Sequence, residues 1–133
     1  MERDDVSRWL DDYVEAWKTY DGERIAALFT DDVVYRYHPY DEPIRGRDAV
    51  VESWLGEGNH PDASSRDPEG TYDASYAPAA IEGDVVVATG SSSYFESPGG
   101  LVDKVYDNCF VMRFDADGRC REFTEWFIER PSP

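Results

Sequence analysis

Across residues 4–20 the apolar positions Val6, Trp9, Leu10, Tyr13, Val14 and Trp17 recur every three or four residues, the spacing that lays one broad stripe along an amphipathic helix. Asp21-Gly22 breaks the stripe. Ile25, Leu28 and Phe29 then mark a short second helix ending near Thr30-Asp31-Asp32, and the pattern changes to a first strand over about 33–37. Pro39 and Pro43 reduce the next stretch to an edge strand or a turn, because proline donates nothing to a ladder. Gly46 opens a third helix over 47–55.

The run GEGNHPDASSRDPEG, residues 56–70, has no apolar period and reads as a long surface loop, of a size that often covers a pocket mouth. The remainder is patterned as strands over 71–77, 84–95, 103–114 and 119–129, parted by turns containing Gly or Pro. Helices first and antiparallel strands afterwards predict an α+β fold with the helices on one face of the sheet. A chain of 133 residues has room for one domain, 1–133, and none for a second.

The last two strands flank Asp115-Ala116-Asp117-Gly118, a turn in which Gly118 supplies a positive φ. If the hairpin closes symmetrically, Asn108 faces Glu125, Phe110 faces Phe123 and Tyr106 faces Phe127, on one side of the sheet together with Met112 and Phe114. That face is aromatic apart from one polar rung. A carboxylate between Phe123 and Phe127 loses hydration, which disfavours its charged form and raises its pKa. Glu125 is therefore a candidate general acid or base, with Asn108 holding its proton or contacting a substrate. The alternative is a structural rung in which Asn108 and Glu125 satisfy each other. A bulge at Gly118 would instead bring Glu122, Thr124 and Trp126 to the Asn108 side and turn Glu125 outward.

Two further residues have a functional and a plain reading. Tyr13, inside the helical stripe, is either an oxyanion donor aimed into a cavity or an ordinary core tyrosine. His38 carries the side chain best suited to proton transfer near neutrality, or is a loop residue beside a proline. His60 lies in the polar loop and is assigned no role.

Composition narrows the partners. With 29 acidic against 13 basic residues the formal charge is −16, which repels nucleic acid and anionic lipid. Aromatic residues make up 14%, more than a minimal core needs and suited to the walls of a cavity for a small hydrophobic ligand. No apolar run reaches the ~18 residues of a membrane span, and the charged start MERDDVSRW is unlike a signal peptide, so a cytoplasmic protein is expected. Cys109 and Cys120 fall on different rungs and are expected to be free thiols. Neither the His and Cys spacing nor the acidic residues form a metal motif, and dinucleotide, Walker and nucleophile-elbow patterns are absent, so no metal and no cofactor are expected.

Taken in order, WLDDYVEAW, LFTDDVVYRYHPYDEP, GRDAVVESWL and RFDADGRCREFTEWF resemble the ketosteroid isomerase and SnoaL-like polyketide cyclase group of the nuclear transport factor 2-like superfamily. The resemblance implies a cone: a curved, mixed, mostly antiparallel sheet wrapped around N-terminal helices with one internal pocket, often in a homodimer. For a dimer the sheet face away from the pocket, with Val105, Cys109 and Val111, is the expected contact. Tyr13 falls where the isomerases carry their helix-borne oxyanion tyrosine, and Trp54 where an aromatic lines their pocket. The isomerase base, an aspartate just after the first strand, is replaced by Tyr37 or His38 depending on a one-residue gap, and the second oxyanion donor by Phe110. Glu125 matches the last-strand acid that SnoaL-like cyclases and limonene epoxide hydrolase use as an aspartate. The epoxide hydrolases also use an arginine and an aspartate two residues apart on a middle strand, and residues 89–95 offer only Ser, Gly, Thr and aromatics.

The resulting expectation is a cofactor-independent isomerase or cyclase acting on a small hydrophobic substrate. Glu125, His38 and Tyr13 form its catalytic set, and Asn108, Trp54, Tyr37, Phe110, Met112, Phe123 and Phe127 hold the substrate. The rival is a ligand-binding or assembly module that uses the same pocket, or the outer sheet, without chemistry.

Overall fold

The computed structural model describes residues 1–57 and 66–132. Most of the loop expected to cover the pocket mouth, with His60, lies outside the described residues. Helix α1 runs Arg3–Thr19 and buries Val6, Trp9, Leu10, Tyr13 and Ala16, the stripe read from the pattern. It stops at Tyr20, whose left-handed backbone (φ 48°) points its N–H back to the Ala16 carbonyl at 2.9 Å. The Asp21 carboxylate accepts from the N–H groups of Glu23 and Arg24, which starts the short helix α2, Gly22–Ala27. Its far end is tied to α1 where the Trp9 indole donates to the Leu28 carbonyl at 3.0 Å.

Strand β1 begins at Phe29 and runs to Arg36, four residues earlier than the pattern implied. Phe29 sits at helical spacing from Ile25, yet pairing in the sheet claims it: the Cys120 N–H donates to the Leu28 carbonyl at 2.9 Å and Phe29 aligns with Cys120. The exposed Asp31 and Asp32 fall in a register shift between Phe29 and Val34, which blurs the alternation expected of a strand. The proline-bounded stretch yields the two-residue edge strand β2, Ile44–Arg45, and α3 follows at Arg47–Trp54. The rest is β3 (Tyr72–Glu82), β4 (Val85–Phe95), β5 (Val102–Phe114) and β6 (Cys120–Glu129).

The strands form one six-stranded sheet in the order β2-β1-β6-β5-β4-β3, in which only β1 and β6 run parallel. Register shifts interrupt the β3–β4, β4–β5 and β5–β6 ladders as well as β1–β6. Each adds a local bend, and together they curl the sheet around α1 without closing it.

The hairpin register differs from the symmetric expectation. Asn108 aligns with Phe127, Phe110 with Glu125, Met112 with Phe123 and Tyr106 with Glu129, each displaced by two residues from the predicted partner. Two single-residue irregularities cause this. The turn spans five residues, because Asp115 N–H bonds the Arg119 carbonyl at 2.9 Å while the Asp115 side chain accepts from Asp117 and Arg119. A further shift then leaves Arg121 unpaired between Cys120 and Glu122. One shift alone would have turned Glu125 outward; two restore the original face.

A close approach of backbone fixes the far side of the bowl. A Cβ on Gly90 would lie 2.0 Å from the Ser75 carbonyl oxygen and 2.7 Å from the Tyr76 Cα, so only glycine lets β3 fold over β4 here. Gly90→Ala is expected to destabilise the protein by about 1–3 kcal/mol, the usual cost of overpacking, read as a lower urea midpoint. An unchanged midpoint would show that the sheet can flatten at this point.

Candidate active-site cavity

The inward face of the hairpin changes character along its length. Nearest the turn, Phe114, Met112 and Phe110 on β5 and Phe123 on β6 are almost wholly buried. They pack against α1, where Trp9 meets Phe114 edge to face at 5.3 Å and Tyr13 stacks on Phe123 at 5.8 Å. Further along, Asn108, Glu125 and Phe127 occupy the same face where the helix no longer fills the space, and a cavity of about 680 Å³ opens. The sheet is thus a cone filled at its narrow end and open at its wide end.

Of the residues expected at the site, Glu125, His38, Tyr13, Asn108, Trp54, Tyr37 and Phe127 line this cavity together. Phe110, Met112 and Phe123 do not. They lie at 0% exposure in the core beneath it, because their register puts them beside the stripe of α1. Tyr35, Tyr76, Ser92 and Tyr94 also line the wall, as do Trp17, Tyr20 and Asp67 at one side. Trp17 was legible, being one helical turn beyond Tyr13 in the same stripe, and Ser92 and Tyr94 follow from alternation along β4. Asp67 gave no signal, since nothing in a polar loop distinguishes one aspartate that folds inward.

Glu125 is held by a short chain of hydrogen bonds. The Ser92 hydroxyl donates to Asn108 Oδ1 at 3.0 Å, and Asn108 Nδ2 donates to Glu125 Oε2 at 2.8 Å. The contact is diagonal across the ladder rather than along a rung, which the side chains span easily. Burial among aromatic rings pushes the Glu125 carboxyl up to about 7, against the opposing pull of the Asn108 hydrogen bond and the nearby His38. The same burial raises the phenols of Tyr13, Tyr35 and Tyr76, with the Glu125 charge adding to it, so these hydroxyls keep their protons.

His38 stands at the edge of the cavity. Its Nδ1 lies 2.8 Å from Asp41 Oδ2, which also accepts the His38 backbone N–H at 3.1 Å. The ring rests between Tyr40 at 5.1 Å and Phe127 at 5.3 Å. With Nδ1 engaged by the carboxylate, Nε2 is the nitrogen left for proton exchange. On the floor, the Trp54 indole N–H is buried without a hydrogen bond. The Tyr35 phenol is raised chiefly by burial, and the Trp54 indole pulls it back in part. Tyr37 binds Ser53 through its hydroxyl at 2.8 Å.

A bowl of sheet and helices with its cavity at the wide end defines the nuclear transport factor 2-like class of fold. The SnoaL-like domain model matches residues 10–123, and the chain belongs to that family. Among solved structures it is similar to an NTF-2-like protein of unknown function from Burkholderia xenovorans LB400, with 17% identity over 98% of this chain and 88% of that one and a TM-score of 0.66. It is also similar to an LEH-like epoxide hydrolase from M. tuberculosis, with 19% identity over 96% of this chain and 86% of that one and a TM-score of 0.62. No curated protein matches the sequence. No helix among the described residues is long and apolar enough to cross a membrane. Among those residues, no three His, Cys, Asp or Glu side chains are gathered as a metal site.

The raised Glu125 carboxyl gives stability a defined pH dependence. Its folded value, about 7, lies above the ordinary 4.5, so between those values the folded state retains a proton that the unfolded state has released. Stability therefore falls as pH rises through this window and levels off above it, by on the order of 3 kcal/mol at most. Glu125→Gln should match the parent at pH ~4 and exceed its unfolding free energy at pH ~8. Equal differences at both values would mean that the carboxyl titrates normally.

Proposed function

We propose that the chain, acting as one domain over residues 1–133, takes a small hydrophobic molecule into this cavity and catalyses an isomerisation or cyclisation by moving a proton, with Glu125 as acid and base. The observation that carries the reading is a carboxyl poised near neutrality in the lining of an aromatic cavity, with one oxygen held by Asn108. The Glu125 carboxylate removes a proton from carbon next to a carbonyl, and the C–H electron pair moves into the new double bond. Tyr13 donates its hydrogen bond to the oxygen that gains charge, and Glu125 returns the proton at another position. Asn108 orients the carboxylate, and His38, braced by Asp41, exchanges protons with solvent. No cofactor enters such a scheme, and Cys109 and Cys120, unbridged, fit a reducing cytoplasm.

Epoxide opening, the activity for which one structural neighbour is named, has less support. The β4 positions that would carry an arginine and an aspartate hold Gly90, Ser92 and Tyr94 on the cavity side. In a thermal-shift screen of steroids, aromatic polyketides and terpenoids, a ligand at ~100 times its dissociation constant should add ~2.7 kcal/mol of stability. Trp54→Ala or Asn108→Ala should abolish the shift. With a substrate in hand, Glu125→Gln should cut turnover about 10²–10⁴-fold; undiminished turnover would remove Glu125 from the chemistry.

A homodimer is supported by a separate observation. On the sheet face away from the cavity, Trp126 beside Cys109 and Ile128 beside Asp107 remain 43% and 74% exposed, next to Val105 and Val111. Light scattering is expected to give twice the monomer mass and Trp126→Arg to halve it. A monomer mass at every concentration would refute this pairing.

A further inference from the structure

The cavity's charge is as distinctive as its shape. Its recessed acids are Glu125 and the half-buried Asp67, whereas His38, paired to Asp41, stands at the edge and Lys104 and Asp103 are exposed at the rim. Among the described residues neither recessed acid forms an ion pair with a cation. Arg66, next to Asp67 in sequence, forms no ion pair with it: its guanidinium takes the Tyr20 ring, 5.5 Å away, and its Nε donates to the Leu55 carbonyl, which leaves Trp17 and Tyr94 as the rings open to a ligand beside Asp67.

Asp67 is nonetheless built into the wall. Its Oδ2 accepts from the Trp17 indole at 3.2 Å and from the Tyr20 hydroxyl at 3.3 Å, and its own N–H donates to that hydroxyl at 2.8 Å. Burial raises its carboxyl despite those two donors. Trp17 lies 6.1 Å from Tyr94, which lines the cavity with both acids and whose phenol is raised by burial first and by the charges of Asp67 and Glu125 next. Aromatic rings around two acids that lack an ion-pair partner among the described residues favour one class of ligand. An anion would meet both carboxylates inside a chain of net charge −16. An uncharged molecule would bury the acids further with no compensating charge. A cation gains from the ring quadrupoles and from both acids, and the field of the whole protein draws it in.

Building on the reading of this cavity as a site for a small hydrophobic molecule, we infer that the molecule carries a protonated or quaternary amine. The amine seats between Trp17 and Tyr94 against Asp67, and the apolar body reaches inward to Tyr13 and Trp54. Asp67 is then an anchor for charge, separate from Glu125, where protons move.

The test uses probes of one shape and different charge: naphthylmethylamine, protonated at neutral pH, naphthylmethanol, uncharged, and naphthoate, anionic. Binding to the whole chain is followed by quenching of tryptophan fluorescence, since Trp17 and Trp54 line the cavity. The amine is expected to bind at least about tenfold tighter than the alcohol, with naphthoate the weakest. Asp67→Asn should bring the amine and the alcohol to within about twofold of each other. If Asp67→Asn fails to fold, the ratio of amine to alcohol on the parent protein decides alone. An alcohol that binds as tightly as the amine overturns the cationic ligand and leaves the hydrophobic cavity standing. If none of the three binds, both readings fall.

Discussion

Three nearly parallel rings hold α1 to the sheet, and the cavity exists because of where they sit. Phe123 on β6 stacks on Tyr35 of β1 at 4.7 Å and 6°, and on Tyr13 of α1 at 5.8 Å and 18°. Such pairs contribute about 0.5–1.5 kcal/mol each beyond the area they bury. Their larger consequence is geometric. They join the strands that pair in parallel to the helix that fills the bowl, and they set the depth at which filling stops. Below them the aromatic face of the hairpin is core, and above them the same face is a lining.

That depth decides the chemistry of each polar group. Glu125 lies two residues beyond Phe123 on the same side of β6, close enough to the packed rings to lose hydration and far enough along to line the cavity. Desolvation outweighs the Asn108 hydrogen bond and the influence of His38, leaving the carboxyl near neutrality. Had the helix stripe continued one ring further, the same glutamate would be a buried structural group. Had it stopped one ring earlier, it would be solvated and ordinary.

The wall of phenols is a consequence of the same burial. Their hydroxyls are held protonated by lost hydration, with the Glu125 charge as a secondary influence, so they serve the cavity as donors. Their rings offer negative faces and the two acids add charge, while basic groups remain at the rim.

Much of this was legible in the chain itself. The stripe of α1, the Asp21-Gly22 break and the strand alternation are local signals, with periods of 3.6 and 2 that need no tertiary context, and they determined the helices, the strands and the aromatic face that carries Asn108 and Glu125. The family resemblance rested on the same segments and gave the same cone. What only the tertiary structure decided was everything that depends on register and depth. Two single-residue irregularities in the last hairpin cancel in parity, so the face was foreseen while the partners were not. Phe110, Met112 and Phe123 share that face with Glu125 but became core, because where a helix ceases to fill a bowl is fixed by its docking angle and not by any spacing along the strand. Asp67 joined the cavity through three bonds to Trp17 and Tyr20 across about fifty residues of sequence. Periodicity reports which side of an element a residue occupies; only packing reports what stands opposite it.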